Sequence, residues 1–293
     1  MQYQIILDVG GTGIKGALCR DGQLVSEVRE YPARSGEPRE ELLAHFCSIC
    51  EDLLAAAQDP EALCTRIAAA FPGPFDYERG IPLMQGLAKY EHLYGVCLPE
   101  SMEEQWQSRG IQAFRGTAWK FLNDVSAFAL GAAQKHSLSG RTMCVCLGTG
   151  AGSAFLLGTD LCTDEAQGVP ENGWIYPLPF EETIMDDVLS ARGVTKIAVN
   201  YCQKAFTPLQ LKEAACAGNP AAQKAWQYFG TLLQKGLAPV AMKFNADAII
   251  LGGKVARSSD LFISEMKDFC TEWGIRLIIE TETSEMTIRG LMF

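Results

Sequence analysis

The sequence predicts an α/β protein that is built from two similar halves. The chain has 293 residues, which suits two domains at the usual size of about 100 to 200 residues each. Apolar runs that alternate like strands are interspersed with segments of helical periodicity. The tripeptide Gly-Thr-Gly occurs at residues 11–13 and again at residues 148–150, each time between two strand-like runs. We therefore expect an internal duplication.

The first half begins with a β-meander. Three strand-like runs between residues 3 and 28 are separated by the glycine-rich turn and by Asp21-Gly22. Apolar residues at helical spacing then predict a helix over residues 39–57. The other elements predicted for this half are a strand at 65–71, a helix at 99–109 and a strand at 119–122.

The second half echoes the first, with a strand before and after its Gly-Thr-Gly turn. Its predicted elements are a helix at 125–135, strands at 143–147 and 152–157, a long loop to 179, helices between 181 and 243, a strand at 248–251, a helix at 260–273 and a strand at 276–280. The expected domains are therefore residues 1–120 and 121–293.

The composition excludes several classes of protein. With 48% hydrophobic and 20% charged residues the chain can bury a core, which argues against a disordered or fibrous protein. The formal net charge of −10, without any cluster of Lys and Arg, predicts no nucleic-acid partner and no anionic membrane partner. No apolar run approaches the roughly 18 to 20 residues of a membrane span, and Met1 leads into a strand pattern instead of a signal peptide. We expect a cytoplasmic protein.

Eleven cysteines raise the question of disulfides or metal sites. Cys144 and Cys146 alternate with apolar residues in a predicted strand, as small hydrophobic residues do. Cys47 and Cys50 form a CxxC pair on an amphipathic helix, but no second pair of Cys or His stands at metal-ligand spacing. We predict apolar packing for these residues and no zinc.

The two glycine-rich turns predict a phosphate site, because glycines let backbone N–H groups approach an anion closely. Asp8 ends an apolar strand just before Gly10-Gly11-Thr12, where a hydrated Mg²⁺ that bridges phosphate oxygens needs a carboxylate. A third turn, Gly252-Gly253, suits close packing by the adenosine of a nucleotide. Alternatively, the glycines only close tight turns and Asp8 caps the first. Neither GxxxxGK[ST] nor GxGxxG occurs, so the phosphate site would be of another kind.

Asn123-Asp124 stands between a predicted strand and a predicted helix. A carboxylate there is suited to accept a proton from an attacking hydroxyl, while Asn123 binds neighbouring hydroxyls. An Asn-Asp pair before a helix is also a good N-cap. The spacing alone fits catalysis and capping equally well.

Together these motifs resemble, in order and spacing, those of the ROK family of bacterial sugar kinases and sugar-responsive repressors, over residues 5 to about 291. The matching segments are 8–17, 72–76, 123–124, 147–152 and 249–253. The resemblance implies the fold of the sugar kinase, Hsp70 and actin superfamily. In that fold two ribonuclease H-like α/β domains close a cleft on ATP, Mg²⁺ and sugar.

The resemblance also implies roles for individual residues. Asp124 is implied as the catalytic base and Asn123 as a sugar ligand, while the expectation that Asp8 binds Mg²⁺ through water rests on its place before the first glycine turn. Lys15 matches a basic position of the first phosphate motif, although a solvated strand lysine explains it equally well. The implied phosphate contacts are Gly10, Gly11, Thr12, Gly148, Thr149 and Gly150, and the implied adenosine contacts are Gly252 and Gly253. Family habit implies a homodimer.

The sequence departs from the family pattern beyond the second phosphate motif. Where typical members carry Glu-x-Gly-His and then a CxCGxxGCxE zinc loop, this chain keeps Glu171, has Trp174 in place of His and lacks the zinc loop. Glu171 is either a sugar ligand or a solvated acid, and Trp174 either stacks on a sugar or packs. Lys89 and His92 either meet an anionic or unusual substrate or are exposed loop residues. The family's final helix is expected to be short or missing.

The leading hypothesis is therefore an ATP-dependent kinase that phosphorylates a hydroxyl of a hexose or hexose derivative. A sugar-sensing regulator is an alternative, although Asp8 leaves no room for the DNA-binding module that such regulators place before this motif. A sugar-binding relative without catalysis is a third possibility. The retained Asp8 and Asn123-Asp124 argue against it.

Overall fold

The computed structural model describes residues 1–86 and 89–292. The chain divides into two compact units, of which unit 1 comprises residues 1–131 and the segment from residue 284, and unit 2 comprises residues 132–283. This division differs from the expected boundary at residue 120 in two respects. It falls inside a helix, after Gly131, and the C-terminal segment belongs to the first unit.

Unit 1 is built on a six-stranded sheet with the order β3-β2-β1-β5-β8, in which β4 also pairs with β2. Strands β1 and β2 form the antiparallel hairpin around the first glycine turn, and β1, β5 and β8 run parallel. The strands of this unit are β1 (Gln2–Val9), β2 (Gly13–Arg20), β3 (Gln23–Leu24), β4 (Arg29–Pro32), β5 (Leu63–Phe71), β6 (Phe75–Asp76), β7 (Ile81–Pro82) and β8 (Ala118–Asn123).

Helices pack on both faces of this sheet. Successive residues of a strand point to opposite faces, so the apolar residues of β1 form one core on each face. The first helices of the chain are α1 (Arg39–Ala55), α2 (Leu98–Ser108) and α3 (Asp124–Lys135). Ile5 and Leu7 of β1 belong to the core that α1 and α2 complete. Ile6 between them instead shares a smaller core with Ala127 of α3.

Unit 2 repeats this plan on a five-stranded sheet with the order β11-β10-β9-β14-β15. An antiparallel hairpin, β9 and β10, surrounds the second glycine turn, and β14 and β15 run parallel to β9. The strands are β9 (Arg141–Leu147), β10 (Ala151–Leu157), β11 (Asp160–Leu161), β12 (Pro179–Phe180), β13 (Thr183–Ile184), β14 (Ala248–Gly252) and β15 (Arg276–Ile279). The recurrence of one strand order confirms the duplication that the two Gly-Thr-Gly turns predict.

The helices of unit 2 depart in places from the prediction. They are α4 (Met185–Val188), α5 (Ala191–Cys202), α6 (Pro208–Cys216), α7 (Pro220–Phe244) and α8 (Ser264–Glu272). The segment predicted as helical from residue 181 includes strand β13, since a two-residue strand is too short to show a period. Asn219 caps α7 as its Asn-Pro start predicts, because its side chain accepts hydrogen bonds from the N–H groups of Ala221 and Ala222.

A final helix, α9 (Thr283–Leu291), is present and has nine residues. In unit 1 it crosses α3 at two glycines with almost no space between the backbones. A β-carbon on Gly131 would overlap the carbonyl oxygen of Met286, and one on Gly290 would overlap that of Ala127. The two helices therefore approach as closely as only glycine allows.

All eleven cysteines are free thiols, and Cys47 and Cys50 lie buried in α1. Burial raises the pKa of the Cys47 thiol to about 12, so this thiol stays protonated at neutral pH. Within the described residues, none of the helices combines the length and the apolar character that crossing a membrane requires.

Candidate active site

The first glycine turn has its carbonyl groups occupied and two of its N–H groups open. The N–H of Gly10 closes the turn on the carbonyl of Gly13 at 2.9 Å. The Tyr90 hydroxyl donates to the carbonyl of Gly10 at 2.8 Å, and the Ser35 hydroxyl donates to that of Gly11 at 2.9 Å. Among the described residues nothing accepts from the N–H groups of Gly11 and Thr12. Such open N–H groups on a fixed turn are suited to hold an anion.

Asn123 and Asp124 lie where β8 ends and α3 begins, and both contribute to the helix cap. The N–H of Val125 donates to Asn123 Oδ1 at 3.0 Å and to Asp124 Oδ1 at 2.9 Å. The amide of Asn123 also donates to the Tyr77 hydroxyl at 3.1 Å, which in turn donates to the carbonyl of Phe71 at 3.0 Å. The Asp124 carboxylate also forms hydrogen bonds with its own backbone N–H and with the Asn123 side chain. Capping thus accounts for part of the contacts of the Asp124 carboxylate.

Asp124 is close enough to the first glycine turn for its charge to interact with those of Asp8 and Lys89. Burial raises the pKa of Asp124, while hydrogen bonds from backbone N–H groups and the positive charge of Lys89 oppose this rise. The Asp124 side chain keeps an exposed surface. Lys89 lies across the turn, since a β-carbon on Gly11 would be 2.7 Å from Lys89 Cε. The structure thus brings Lys89, Gly11 and Asp124 together in unit 1.

Asp8 is linked to the last helix of the chain. It pairs with Lys15 across the β1-β2 hairpin, and Lys15 Nζ donates to the Ser284 hydroxyl at 2.9 Å. Ser284 also forms a hydrogen bond with the Asp8 side chain. Even so, the pKa of Asp8 rises from 3.8 to about 6, mainly because burial removes water from the carboxylate, with the negative charge of Asp124 adding to the rise. Without a cation nearby, the buried negative charge of Asp8 therefore lowers the stability of the folded protein.

We expect Asp8→Asn to stabilise the metal-free protein at neutral pH. Because the folded state binds this proton more tightly than the unfolded chain does, Asp8 costs stability progressively as the pH rises from about 4 to about 6. The Asn variant carries no such charge, so its free energy of unfolding should exceed that of the wild type by roughly 1 to 3 kcal/mol at pH 7. Urea unfolding in EDTA measures this difference.

The matched control is Asp21→Asn, because the Asp21 side chain is 94% exposed and its φ of 52° is one that Asn tolerates. It should leave the unfolding free energy unchanged at every pH. The gain for Asp8→Asn should also vanish near pH 4, where the wild-type carboxyl is protonated. A variant that is less stable than the wild type at pH 7 would contradict this account of Asp8.

The second glycine turn, in unit 2, has the same character as the first. The N–H of Gly148 donates to the carbonyl of Gly150 at 2.9 Å, and the carbonyl of Gly148 accepts from the N–H of Ala191 at 2.8 Å. Within the described ranges no group accepts from the N–H groups of Thr149 and Gly150. This turn too presents free donors on a fixed backbone.

Gly252 and Gly253 lie beside that turn because β14 pairs with β9. Gly252 is opposite Cys146 in the register, and Gly253 follows with a φ of +89°. A β-carbon on Gly253 would overlap the carbonyl oxygen of Leu147. Gly253 is therefore required by the backbone itself, and this structural need explains it whether or not a nucleotide binds there.

Glu171 and Trp174 lie on a loop that is anchored to β10 in unit 2. The Ser153 hydroxyl donates to the carbonyl of Gly173 at 2.7 Å and accepts from the N–H of Ile175 at 2.9 Å. Glu171 is exposed, as is 44% of Trp174, whose ring lies 5.7 Å from the ring of Tyr176. The indole is thus outside the core and packs on Tyr176, and part of its surface stays open to a ligand.

The residues of the first turn fit a magnesium nucleotide. Asp8 offers the hard oxygen ligand that Mg²⁺ prefers, and a cation would relieve its buried charge. The described residues contain no group of three or more His, Cys, Asp or Glu side chains placed to hold a metal ion. Mg²⁺ would therefore keep water ligands here and be held together with phosphate oxygens.

Several residues of the site carry no local sequence signal. Ser284 approaches Lys15 from 269 positions away, and Tyr77 and Tyr90 lie in irregular segments. Near the second turn, the N–H of Ala151 donates to Asp186 Oδ1 at 2.7 Å. The glycine-rich turns can be recognised in the sequence. The side chains that hold these turns in place cannot, because they come from distant or irregular segments.

Comparison with known proteins identifies the fold. A sequence profile described as the ROK family matches residues 4–282. The ROK hexokinase from Thermus thermophilus is 19% identical with a TM-score of 0.75, over 99% of this chain and 97% of that one. A ROK glucokinase from Streptomyces griseus, solved with glucose and AMPPNP, is 17% identical with a TM-score of 0.68, over 99% and 98%.

A ROK transcriptional regulator, a homologue of the E. coli MLC protein, is equally similar. It is 16% identical with a TM-score of 0.76, over 99% of this chain and 77% of that one. The sequence has no significant match among curated proteins. At these identities the likenesses show the fold alone, which is the actin-like ATPase fold of ROK sugar kinases that the sequence motifs imply.

Proposed function

Because this chain belongs to the ROK family, we propose that it is an ATP-dependent kinase that phosphorylates a hydroxyl of a hexose or hexose derivative. The observation that carries the proposal is the surroundings of Asp124. Its exposed carboxylate lies in unit 1 near the buried carboxylate of Asp8, the ammonium of Lys89 and a turn with free N–H groups. A base, a cation and an anion site are what phosphoryl transfer to an alcohol requires.

Asp124 is proposed to accept the proton of the attacking hydroxyl. Its Oδ1 atom is held by the N–H of Val125, which fixes the carboxylate, and the side chain is exposed, so a hydroxyl can reach it. The raised pKa of Asp124 makes the carboxylate a better proton acceptor than an ordinary aspartate. This base therefore needs no further activating residue.

The phosphate contacts are assigned to the two turns. Gly11 and Thr12 in unit 1, and Thr149 and Gly150 in unit 2, offer N–H groups that lack an internal acceptor. Gly10 and Gly148 shape these turns, and we assign Gly252 and Gly253 to the adenosine side on the family resemblance. Asp8 would hold Mg²⁺ through water, and the bound ion would offset charge on the transferred phosphoryl group.

The sugar contacts are assigned to Asn123, Glu171 and Lys89. Asn123 is fixed by Val125 and Tyr77, so its amide has a defined orientation for hydroxyl groups. Glu171 has an exposed carboxylate on an anchored loop, and Trp174 next to it offers a ring face to an apolar side of a sugar. Lys89 adds a positive charge at the first turn.

A regulator without catalysis is the second candidate, and the likeness to the MLC homologue supports it. The fold is common to both classes, so the site must decide between them. The exposed Asp124 carboxylate beside Asp8 and Lys89 favours the kinase, because a protein that only binds sugar needs no base next to an anion site.

A panel of acceptors tests the proposal. ADP release from ATP and Mg²⁺ should be followed with neutral hexoses, N-acetylated amino sugars and glycosides. At least one sugar should raise the rate far above the rate without acceptor. Binding of a sugar with no ADP release from any member of the panel would favour the second candidate instead.

A further inference from the structure

An ion pair lies directly beside the second glycine turn. Asp186 Oδ1 accepts a hydrogen bond from the N–H of Ala151 at 2.7 Å, and Asp186 Oδ2 pairs with the guanidinium of Arg192. A β-carbon on Gly150 would lie only 2.7 Å from Asp186 Oδ1. The carboxylate thus packs on the turn itself and holds Arg192 next to it.

The backbone fixes both partners of this pair. The N–H of Asp186 donates to the carbonyl of Tyr176 at 3.1 Å, and the N–H of Ala191 donates to the carbonyl of Gly148 at 2.8 Å. Arg192 follows in the first turn of α5, a helix that begins at the capping residue Ser190. The position of the guanidinium is therefore coupled to that of the glycine turn.

The charges of the pair are arranged so that an approaching anion meets the cation. The Asp186 side chain is 18% exposed and that of Arg192 is 55% exposed. A carboxylate alone at this position would repel an anion from the N–H groups of Thr149 and Gly150. The guanidinium offsets it and has five N–H donors, most of which the contact with Asp186 leaves open.

Arg192 also stands where its charge does not favour the helix. A cation in the first turn of an α-helix opposes the helix dipole, which favours negative charge at that end. The next cation of the helix, Lys196, is one turn further on and pairs with Asp187 at 3.5 Å. A charge that is locally unfavourable for the fold is expected at a site that binds a ligand.

We propose that Arg192, held in place by Asp186, binds a phosphate group at the second glycine turn. This inference rests on the proposed nucleotide-binding function of that turn and adds a side-chain cation to its backbone N–H groups. A guanidinium matches phosphate geometry through two parallel hydrogen bonds. Asp186 acts through Arg192 and is a positioning residue.

Nucleotide binding by Arg192→Ala tests the inference, with Lys196→Ala as the matched control. Lys196 is on the same helix and also belongs to an ion pair, and its side chain is 65% exposed. ADP binding is measured by calorimetry and adenosine binding by NMR titration. We expect Arg192→Ala to weaken ADP binding by about tenfold or more, since a charged hydrogen bond is lost. Adenosine binding should change less than about twofold, and Lys196→Ala should bind both ligands like the wild type.

A conservative variant separates binding from folding. Arg192→Lys keeps the charge without the paired donors, so its ADP affinity should lie between those of the wild type and the Ala variant. Equal loss of ADP and adenosine affinity in Arg192→Ala would mean a structural role and would overturn the inference. ADP affinity within twofold of the wild type would overturn it as well.

The outcome is distinguishable from that of the proposed kinase activity. A wild-type protein that binds ADP but phosphorylates no sugar would contradict the kinase proposal, while the comparison of ADP affinities would still decide the role of Arg192. A wild-type protein that binds no ADP would overturn the phosphate site at this turn and the role of Arg192 with it.

Discussion

Asp124→Asn is expected to lower kcat by about 100- to 10,000-fold, the usual contribution of a general base. The amide cannot accept the proton of the sugar hydroxyl, whereas its oxygen can still accept the N–H of Val125 and cap α3. Because the contact with Val125 is kept and the side chain is exposed, the free energy of unfolding should change by less than about 1 kcal/mol. Steady-state kinetics with the preferred sugar measure kcat. Urea unfolding measures the free energy of unfolding.

Asp21→Asn again serves as the control, because it makes the same chemical change at a side chain that is 94% exposed. It should retain full activity. KM for ATP in Asp124→Asn should stay near the wild-type value, since Asp124 is assigned to the acceptor and not to the phosphates. Turnover within tenfold of the wild type would exclude Asp124 as the base.

Gly290→Ala is expected to lower the free energy of unfolding by on the order of 2 to 4 kcal/mol. Helix propensity alone predicts the opposite sign, because Ala is favoured over Gly inside a helix by about 1 kcal/mol. The added β-carbon would overlap the carbonyl oxygen of Ala127, so α9 must move away from α3. That displacement also withdraws Ser284 from Lys15 and Asp8.

Gly36→Ala is the control for this substitution. Gly36 is exposed, and a β-carbon on it would meet no atom within 4 Å. Its effect should stay within about 0.5 kcal/mol. Thermal and urea unfolding of both variants measure the difference, and a Gly290→Ala protein more stable than the wild type would show that the helices do not cross as closely as described.

The sequence predicts the sheets better than the helical periphery of the fold. Strands such as β5 and β9 are apolar runs bounded by turns, and the turn composition places both hairpins correctly. Helix α9 is present and short, within the expectation of a short or missing final helix, but its position against α3 is not predictable because the contact between positions 127 and 290 leaves no local pattern. The two-residue strands β12 and β13 escape prediction because a period of two needs a longer run.

The candidate site shows the same division. Glycine turns and the Asn-Asp pair are visible in the sequence because backbone geometry restricts which residues are allowed. The contact of Asp124 with Val125 and its exposed surface are visible only in the structure, and its role as the base stays a proposal. Arg192 has no signal of its own, since its relation to the second turn runs through Asp186 and the backbone of residue 151.

The most direct test of this account is to follow ATP, Mg²⁺ and the panel of sugars by phosphorus NMR with the wild-type protein. We predict that a sugar phosphate ester and ADP form in equal amounts, with little inorganic phosphate, and that Asp124→Asn forms neither at a comparable rate. Inorganic phosphate without any sugar ester, or unchanged ATP with every acceptor, would contradict a kinase with Asp124 as its base.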